Sequence, residues 1–396
     1  MSELRRIGIV TSSRADFGLL KGLMFGVKAH PALDLTVYAT GMHHSQEHGD
    51  TIFEIKNAEL GNLLVEIPTW VPGDDGISTA AQMSNGISGF AAVFAEHAPD
   101  ILVILGDRFD ALPAALAAMP FSIPIAHISG GDVTEAVIDD AIRHCITKLS
   151  HIHFATNNDS ANRILQLGEE PERVIVSGQP GLDALQDFTP KSRDQVATHL
   201  NLDPDLPITI CTYHPESLTP ERTKGDIQSF LKAAEQIDTQ IVFTTPNTDP
   251  GSGAIREAIL AKCEEYTKYV FWESLGQELY WHTLSIADCM VGNSSSGLNE
   301  AASFQLPVVN IGDRQKGRPS SANVISCPSA IDNIIDAWRK ALSSDFRKSL
   351  VDVINPYSKL NAVDCIIDTL ASVQLGRSLL VKRFIDLSTL SDQDSR

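Results

Sequence analysis

The chain has 396 residues, 43% hydrophobic and 20% charged, which is typical of a globular protein long enough for two α/β domains. Its formal net charge of −19 argues against nucleic acid and anionic membranes as partners, because both call for a basic protein surface. None of the six cysteines forms a C-x-x-C pair, and no apolar run is long enough for a signal peptide or a membrane span. We therefore expect a cytoplasmic protein with free thiols.

Short runs of β-branched residues alternate with longer helical patterns along the chain. Several runs are apolar almost from end to end, which indicates parallel strands covered on both faces. The predicted strands of the first half lie at residues 6–11, 33–40, 63–68, 100–107, 123–129, 152–156 and 173–178. Those of the second half lie at residues 208–214, 239–245, 269–274, 288–293, 307–312 and 323–327.

The two series of strands meet at "SGQPGLDAL", residues 177–185, which offers a hinge. This pattern predicts an α/β protein made of two doubly wound, Rossmann-like domains, at residues 1–178 and 179–370. Residues 357–386 have a helical pattern, and we expect a C-terminal helix and tail at 371–396 to pack back on the first domain.

Six polar segments directly follow predicted strands. In open parallel sheets ligands bind at the carboxyl ends of the strands, so these segments are expected to converge on one cleft between the domains. They read "TSSRAD", "GDRFD", "HISGGD", "TYHPES", "TTPNTD" and "GNSSSG". The first of them lacks the glycines of a dinucleotide-binding turn and instead carries hydroxyls, a cation and a carboxylate.

The stretch "VGNSSSGLNEAASF", residues 291–304, predicts a strand followed by a helix that begins at three serines and continues through Ala301 and Ala302. Free N–H groups at a helix start and the hydroxyls of Ser294 and Ser295 suit a phosphate, and Glu300 can accept the two hydroxyls of a ribose. Ordinary N-capping is the alternative interpretation of the serines.

The segment "NIGDRQKGR" places Arg314 after a strand, where a guanidinium can hold a pyrophosphate, unless the loop is merely a solvated basic one. Asp107 ends another strand, and Asp139 and Arg143 have the spacing of an i,i+4 ion pair. Clustered carboxylates tend to differ in pKa, which suits proton donors and acceptors.

His214, after a strand and before a proline, is the histidine best placed for catalysis, and His43 in "GMHHS" is a weaker candidate. No spacing of histidines and carboxylates indicates a metal site.

Together these motifs resemble the UDP-N-acetylglucosamine 2-epimerase family over roughly residues 6–330. The segments that carry the resemblance are "SSRADFG", "GMHHS", "GDRFDALPAALAA", "HISGGDVTEAVIDDAIRHCITKLSH", "TYHP", "GNSSSG" and "NIGDRQKGR". The "RAD" turn and "GNSSSG" are similar to the hydrolysing branch, as in sialic-acid and legionaminic-acid pathways. The resemblance implies a fold of glycosyltransferase-B type, elimination of UDP through a glycal, and addition of water to give the free manno-configured sugar, without metal or cofactor.

The same resemblance implies roles for individual residues. Those expected to take part in catalysis are Asp107, Asp132, Asp139 and His214. Those expected to bind the substrate or UDP are Arg14, Asp16, His43, Arg143, Asn247, Ser294, Ser295, Glu300 and Arg314. The expected partners are a nucleotide sugar and, as a homodimer, a second copy of the chain.

Sialic-acid enzymes of the family carry a glutamate before the paired glycines, where this chain has Ser129. Asp132, after Gly131, can take over the work of that carboxylate. Relatives acting on UDP-N,N'-diacetylbacillosamine resemble this chain in lacking the glutamate, which favours that substrate over UDP-N-acetylglucosamine and leaves GDP as an alternative nucleotide. A glycosyltransferase of the same fold and a nucleotide-sugar-binding protein without turnover are the alternative functions.

Overall fold

The computed structural model describes residues 4–45, 51–246, 249 and 251–386. Within them, a parallel sheet of seven strands has the order β3-β2-β1-β4-β5-β6-β7, and a second, of six strands, has the order β10-β9-β8-β11-β12-β13. The first sheet consists of β1 (Arg5–Thr11), β2 (Leu33–Ala39), β3 (Leu64–Glu66), β4 (Ile101–Leu105), β5 (Ile125–Ile128), β6 (Ile152–Ala155) and β7 (Val174–Val176). The second consists of β8 (Ile208–Thr212), β9 (Gln240–Thr244), β10 (Tyr269–Trp272), β11 (Cys289–Gly292), β12 (Val308–Ile311) and β13 (Val324–Cys327). Every predicted strand is confirmed.

Helices connect the strands and cover both sheets. In chain order they are α1 (Arg14–Ala29), α2 (Ile52–Ile55), α3 (Gly76–His97), α4 (Leu112–Ala118), α5 (Asp139–Leu149), α6 (Asn158–Gln166), α7 (Arg193–His199), α8 (Pro220–Ala234), α9 (Ser252–Glu265), α10 (Gly276–Ile286), α11 (Ser296–Asn299), α12 (Ile331–Leu342), α13 (Ser344–Lys348), α14 (Ala362–Ser372) and α15 (Arg377–Leu380). A π-helical turn spans Lys56–Leu60. Short 3₁₀ helices lie at Gly41–His44, Gly61–Leu63, Pro171–Arg173, Pro180–Gln186 and Ala301–Phe304.

In each sheet the strand order reverses direction once, between β1 and β4 in the first sheet and between β8 and β11 in the second. All residues of β4 and β8 are buried, as expected for central strands that have helices on both faces. Ligands of such sheets bind outside the carboxyl ends of the strands at these switch points. The loops after β1, β4, β8 and β11 are therefore the places to look for a site.

The C-terminal segment returns to the first sheet. Ile366, Ile367 and Leu370 of α14 belong to the same buried hydrophobic cluster as Leu20 and Leu23 of α1. Beyond α15, Lys382 Nζ donates hydrogen bonds to the carbonyls of Lys148, at 2.7 Å, and Ser150, at 2.6 Å. The helix predicted for 357–386 is thus confirmed only for α14 and α15, because the chain around Lys382 forms no helix and its side chain is held by carbonyls at the end of α5.

The domain limits at residues 178 and 370, the cytoplasmic location and the homodimer stay predictions. None of the helices in the described ranges is long and apolar enough to cross a membrane. All six cysteines are free thiols, as expected.

The packing of α14 on α1 predicts a large stability effect. Ile366 is fully buried, so Ile366→Ala removes apolar contacts and leaves a cavity. We expect the free energy of unfolding in urea to fall by about 2–5 kcal/mol. Ile354, whose side chain is 81% exposed, is the matched control, and Ile354→Ala is expected to change it by less than about 0.5 kcal/mol. An equal effect of the two variants would contradict this packing.

Candidate active site

The loops at the carboxyl ends of the two sheets face each other across a cleft. Among the hydrogen bonds that cross it, Arg14 Nη1 donates to the Glu273 carbonyl at 2.8 Å, Arg318 Nε to the Val133 carbonyl at 2.9 Å, and the Ile138 N–H to Ser217 Oγ at 3.0 Å. These bonds hold the two sets of loops together, so side chains from both sheets line the same space.

Two adjoining cavities fill the cleft. One, of about 220 Å³, is the serine compartment, whose lining includes Thr212, His214, Tyr280, Ser294, Ser296 and Glu300. The other, of about 150 Å³, is the carboxylate compartment, whose lining includes Asp16, Asp107, Arg108, Ser129, Asp132, Asp139, Arg143 and Arg318. Residues that line both form the junction: Ala15, Leu19, Gln179, Ser295, Asn299 and Arg314. A neighbouring cavity of about 580 Å³ contains only Arg14 of the predicted site residues, so we assign the chemistry to the two smaller ones.

The guanidinium of Arg143 lies at the centre of the carboxylate compartment, and its side chain is only 1% exposed. It forms ion pairs with Asp107 and, at 3.5 Å, with Asp140, and it donates to the carbonyl of Asp132 at 2.9 Å. Burial lowers the pKa of Arg143, and the nearby Arg318 adds to the effect.

The predicted ion pair between Asp139 and Arg143 is wrong. Arg143 turns instead towards the strand tip that carries Asp107 and towards the loop that follows β5, where it finds several acceptors at once. A buried guanidinium needs several acceptors because leaving its N–H groups unpaired is costly.

Asp139, the first residue of α5, is buried and faces a different set of charges. Burial, and then the carboxylate of Asp249, raise the pKa of Asp139 to about 7, and the guanidinium of Arg314 opposes this rise. Asp249 follows β9 and lies 3.8 Å from Arg314. Asp139 is therefore a carboxyl group that can hold or release a proton near neutral pH.

Asp132 is also buried, but its carboxylate is engaged within the first sheet's loops. Its Oδ1 accepts hydrogen bonds from Thr156 Oγ1 at 3.0 Å and from Ser160 Oγ. Of the three carboxylates predicted to be catalytic, it is thus the one most firmly held by neutral donors.

His214 lies in the serine compartment, after β8. The backbone N–H of His214 donates to Asn293 Oδ1 at 2.7 Å, and Asn293 Nδ2 donates to the backbone carbonyl of His214 at 2.8 Å. Burial, and then the cations of Arg314 and Arg108, lower the pKa of His214 well below its usual value. The imidazole is therefore neutral at physiological pH and can hydrogen-bond or accept a proton, but it offers no positive charge.

The serine-rich segment differs from the predicted continuous helix. Helix α11 spans only Ser296–Asn299, the chain bends at Glu300, and a 3₁₀ turn covers Ala301–Phe304. Ser295 takes the N-cap position, but its hydroxyl makes no capping hydrogen bond. Ordinary capping therefore does not account for this hydroxyl, which lies at the junction.

Glu300 is fixed by an aromatic residue of α10. Trp281 Nε1 donates to Glu300 Oε1 at 2.7 Å, and burial raises the pKa of this carboxyl group. Beside it, Tyr280 donates from its hydroxyl to Ser296 Oγ at 2.8 Å. Ser296 is a further hydrogen-bond partner of the Glu300 carboxyl group, which lines the serine compartment.

Arg314 reaches the junction from the loop after β12. It donates to the Asn293 carbonyl at 3.3 Å, and its buried Nε has no hydrogen-bond partner within the described part of the chain. A buried N–H of a guanidinium is costly to leave unpaired, so the geometry suits an anionic ligand here.

The first turn, after β1, contributes to both compartments. Arg14 lines the serine compartment, and burial lowers its pKa. Asp16 lines the carboxylate compartment and accepts hydrogen bonds from the Ser12 hydroxyl at 2.6 Å and the Ser12 N–H at 3.2 Å.

One of the predicted residues that the structure describes, His43, is not brought into this cluster. His43 lines neither compartment: its ring nitrogens pair with Thr11 Oγ1 at 2.9 Å and Thr51 Oγ1 at 2.8 Å, and burial lowers its pKa to about 3. Asn247 lies outside the described residues. Their substrate-binding roles stay predictions.

The residues at the site that the sequence interpretation missed include Arg108, Gln179, Asp249 and Asn299. Arg108 and Asp249 lie in polar segments that follow strands, so the strand-end rule could have found them. Gln179 lies in the segment that was predicted to be a hinge, and Asn299 lies in the segment that was predicted to be a helix.

Comparison with known proteins gives consistent results. A sequence profile described as UDP-N-acetylglucosamine 2-epimerase matches residues 26–371. The chain is 36% identical over 386 residues, 97% of this chain and 99% of the relative, to the GDP/UDP-N,N'-diacetylbacillosamine 2-epimerase (hydrolyzing) of Campylobacter jejuni. It is 36% identical over 343 residues, 86% and 89% of the two chains, to the UDP-N,N'-diacetylbacillosamine 2-epimerase (hydrolyzing) of Legionella pneumophila.

The crystal structure of UDP-GlcNAc 2-epimerase from Neisseria meningitidis bound to UDP-GlcNAc has a similar fold, with a TM-score of 0.78 at 21% identity over 93% of this chain and 100% of that one. The predicted fold is confirmed.

The raised pKa of Asp139 predicts a pH-dependent stability. From about pH 4 to pH 7 the unfolded carboxyl group has lost its proton and the folded one has not, so the free energy of unfolding falls as pH rises through this range. Asp139→Asn removes the titrating carboxyl group and with it this decrease in the free energy of unfolding. We expect the variant to be more stable than the unsubstituted protein by about 1–4 kcal/mol at pH 8 and equally stable near pH 3, as measured by urea unfolding.

The neighbouring residue supplies the control for this experiment. Asp140 Oδ1 accepts the Thr134 N–H at 2.7 Å, so Asp140→Asn is expected to give no gain in stability at pH 8. Equal stability of Asp139→Asn and the unsubstituted protein at pH 8 would contradict the burial argument.

Proposed function

The chain belongs to the UDP-N-acetylglucosamine 2-epimerase family, and we propose that it is a hydrolysing member that acts on UDP-N,N'-diacetylbacillosamine. The observation that carries this proposal is the meeting of the serine compartment and the carboxylate compartment at one junction. A nucleotide sugar lying across the junction has its nucleotide among hydroxyls and its sugar among carboxyl groups. A protein that only bound the nucleotide would have no need of the buried carboxylates beyond the junction.

The nucleotide binds in the serine compartment. Glu300 accepts hydrogen bonds from the ribose hydroxyls, while Trp281 holds one of its carboxylate oxygens. Ser294, Ser295 and Arg314 surround the diphosphate, with Arg314 supplying the positive charge. Arg14 adds a second cation on the opposite wall of the compartment.

The first chemical step is an elimination. A carboxylate removes the proton from carbon 2 of the sugar, the electron pair forms the bond between carbons 1 and 2, and the bond from carbon 1 to the phosphate oxygen breaks. We propose Asp107 as the proton acceptor, because its ion pair with Arg143 fixes its carboxylate at the strand tip within the carboxylate compartment. The products of this step are UDP and a glycal that stays in the carboxylate compartment.

The second step adds water to the glycal. The water oxygen bonds to carbon 1 and releases one proton to a carboxylate of the compartment, and a carboxyl group delivers a proton to carbon 2 on the face opposite to the one that lost it, which inverts that centre. We propose Asp139 as the proton donor, because its pKa of about 7 keeps a proton available at neutral pH. The free sugar would then enter nonulosonic acid synthesis.

Two observations favour the diacetylated sugar over UDP-N-acetylglucosamine. The Campylobacter and Legionella relatives named above carry that substrate in their names. This chain also has Ser129 in the position where sialic-acid enzymes of the family have a glutamate.

Proton NMR in D₂O tests the proposal directly. The purified protein is incubated with UDP-N,N'-diacetylbacillosamine, its GDP-linked counterpart or UDP-N-acetylglucosamine. We expect the first to be consumed fastest, with release of UDP and of a free manno-configured sugar that carries deuterium at carbon 2. Transfer of the sugar with retention of the carbon 2 proton would contradict the proposal.

The same assay tests the role of Asp107. Asp107→Asn removes the proton acceptor, so we expect turnover to fall by at least about a hundredfold. Arg143 keeps the Asp132 carbonyl, Thr134 and Asp140 as acceptors, and the fold is expected to survive. UDP affinity, measured by calorimetry, is expected to change less than about threefold, because Asp107 does not line the serine compartment. A large loss of UDP binding would instead place Asp107 at the nucleotide.

A further inference from the structure

One amide side chain stands between the two compartments. Gln179, just after β7, lines both of them and is 4% exposed. Its backbone N–H donates to the Tyr357 carbonyl at 3.2 Å, and its Oε1 accepts a hydrogen bond from the Ser129 hydroxyl at 2.9 Å. The backbone and the side chain of Gln179 are therefore each held by a hydrogen bond.

Ser129 itself has little freedom to move. It lies directly after β5 with a φ of 64°, in the left-handed region. Glycines follow at 130 and 131, where a Cβ atom would come within 2.8 Å of His127 Nδ1 and 2.1 Å of the Ser160 carbonyl oxygen, respectively. Because the turn is packed this closely, the Ser129 hydroxyl is held in place against Gln179.

The hydrogen bond from Ser129 determines which end of the amide is free. With Oε1 occupied by Ser129, the Nε2 group of Gln179 is left as a donor, and it donates to no other described residue. The junction also contains Arg314, whose buried Nε has no partner among the described residues, and the hydroxyl of Ser295. A buried guanidinium N–H without an acceptor, next to the free end of an amide, indicates a ligand that offers acceptor oxygens at the junction.

We propose that Gln179, oriented by Ser129, donates a hydrogen bond to the sugar-bearing phosphate of the bound nucleotide sugar and keeps it as that phosphate departs with UDP. This inference rests on the proposed function, which places the nucleotide on one side of the junction and the sugar on the other. The phosphate nearest the sugar then lies beside Gln179. Ser129 is a positioning residue that acts through the amide.

A neutral donor is well suited to this place. The carboxylate compartment already contains four arginines and four aspartates in its lining. An amide stabilises the charge that develops on the leaving phosphate without changing the ionisation of those carboxyl groups. A glutamate at position 129 would instead place a negative charge beside the phosphate.

Binding of UDP and UMP to Gln179→Leu tests the proposal by isothermal titration calorimetry. UMP lacks the phosphate that Gln179 is proposed to contact, so it serves as an internal control for folding. We expect the Kd for UDP to rise at least about tenfold, as for loss of a hydrogen bond to a charged group, and the Kd for UMP to stay within about twofold. Gln236→Leu, at an exposed position, is the matched control and is expected to change neither. If the D₂O assay selects the guanosine-linked sugar, GDP and GMP replace this pair.

Ser129→Gly tests the positioning role. Glycine accepts the positive φ, so the variant loses the hydroxyl without backbone strain. We expect a smaller loss of UDP affinity than in Gln179→Leu, and no further loss when the two changes are combined, because both act on one contact. A purely structural role of Ser129 would give additive losses.

The outcomes separate this inference from the proposed function. If UDP binds and Gln179→Leu binds it as tightly as the unsubstituted protein, the phosphate contact is refuted and the proposed function stands. Equal weakening of UDP and UMP, or additive effects of the two changes, also refutes it. If the unsubstituted protein neither binds a nucleoside diphosphate nor consumes a nucleotide sugar, the proposed function fails and this inference fails with it.

Discussion

The carboxylate compartment depends on one desolvated cation, the guanidinium of Arg143. A buried guanidinium must be paired and hydrogen-bonded, because an isolated charge in the interior costs more than the net stability of a domain can offset. Arg143 satisfies this requirement with Asp107, after β4, and with the Asp132 carbonyl and Thr134, after β5. It thereby fixes the separation of two strand tips. Arg318, which follows β12, donates to the same Thr134 hydroxyl at 3.0 Å. A contact between the loops of the two sheets therefore shares an acceptor with Arg143.

The local charge of the cleft differs from that of the whole chain. The protein carries a formal net charge of −19, but the lining of the carboxylate compartment balances Arg108, Arg143, Arg314 and Arg318 against an equal number of aspartates. A small dianion can therefore bind where a large polyanion would be repelled. Its charge would also disfavour ionisation of the nearby carboxyl groups, which couples occupancy of the junction to the proton on Asp139.

The sequence predicted the strands and most of the site, and its errors share one cause. All thirteen predicted strands occur, because apolar runs between turns are a local property of the chain. The errors concern contacts between distant segments. Arg143 pairs with Asp107 instead of Asp139, the serine-rich helix ends at Asn299, and the chain around Lys382 is not helical. In each case burial or a distant hydrogen-bond partner overrides the local spacing.

The sequence by itself determined the two parallel sheets and the polar segments at their strand ends, because the alternation of apolar runs and turns requires only neighbouring residues. It also determined that serines, arginines and carboxylates would meet in one cleft, since all carboxyl ends of a parallel sheet lie on one edge. Only the tertiary structure decided which carboxylate faces which cation, that Asp139 has a pKa near neutrality, and that Gln179 lies at the junction. Those properties arise from burial and from contacts such as that of Ser129 with Gln179, 50 residues apart in the chain, which no local pattern encodes.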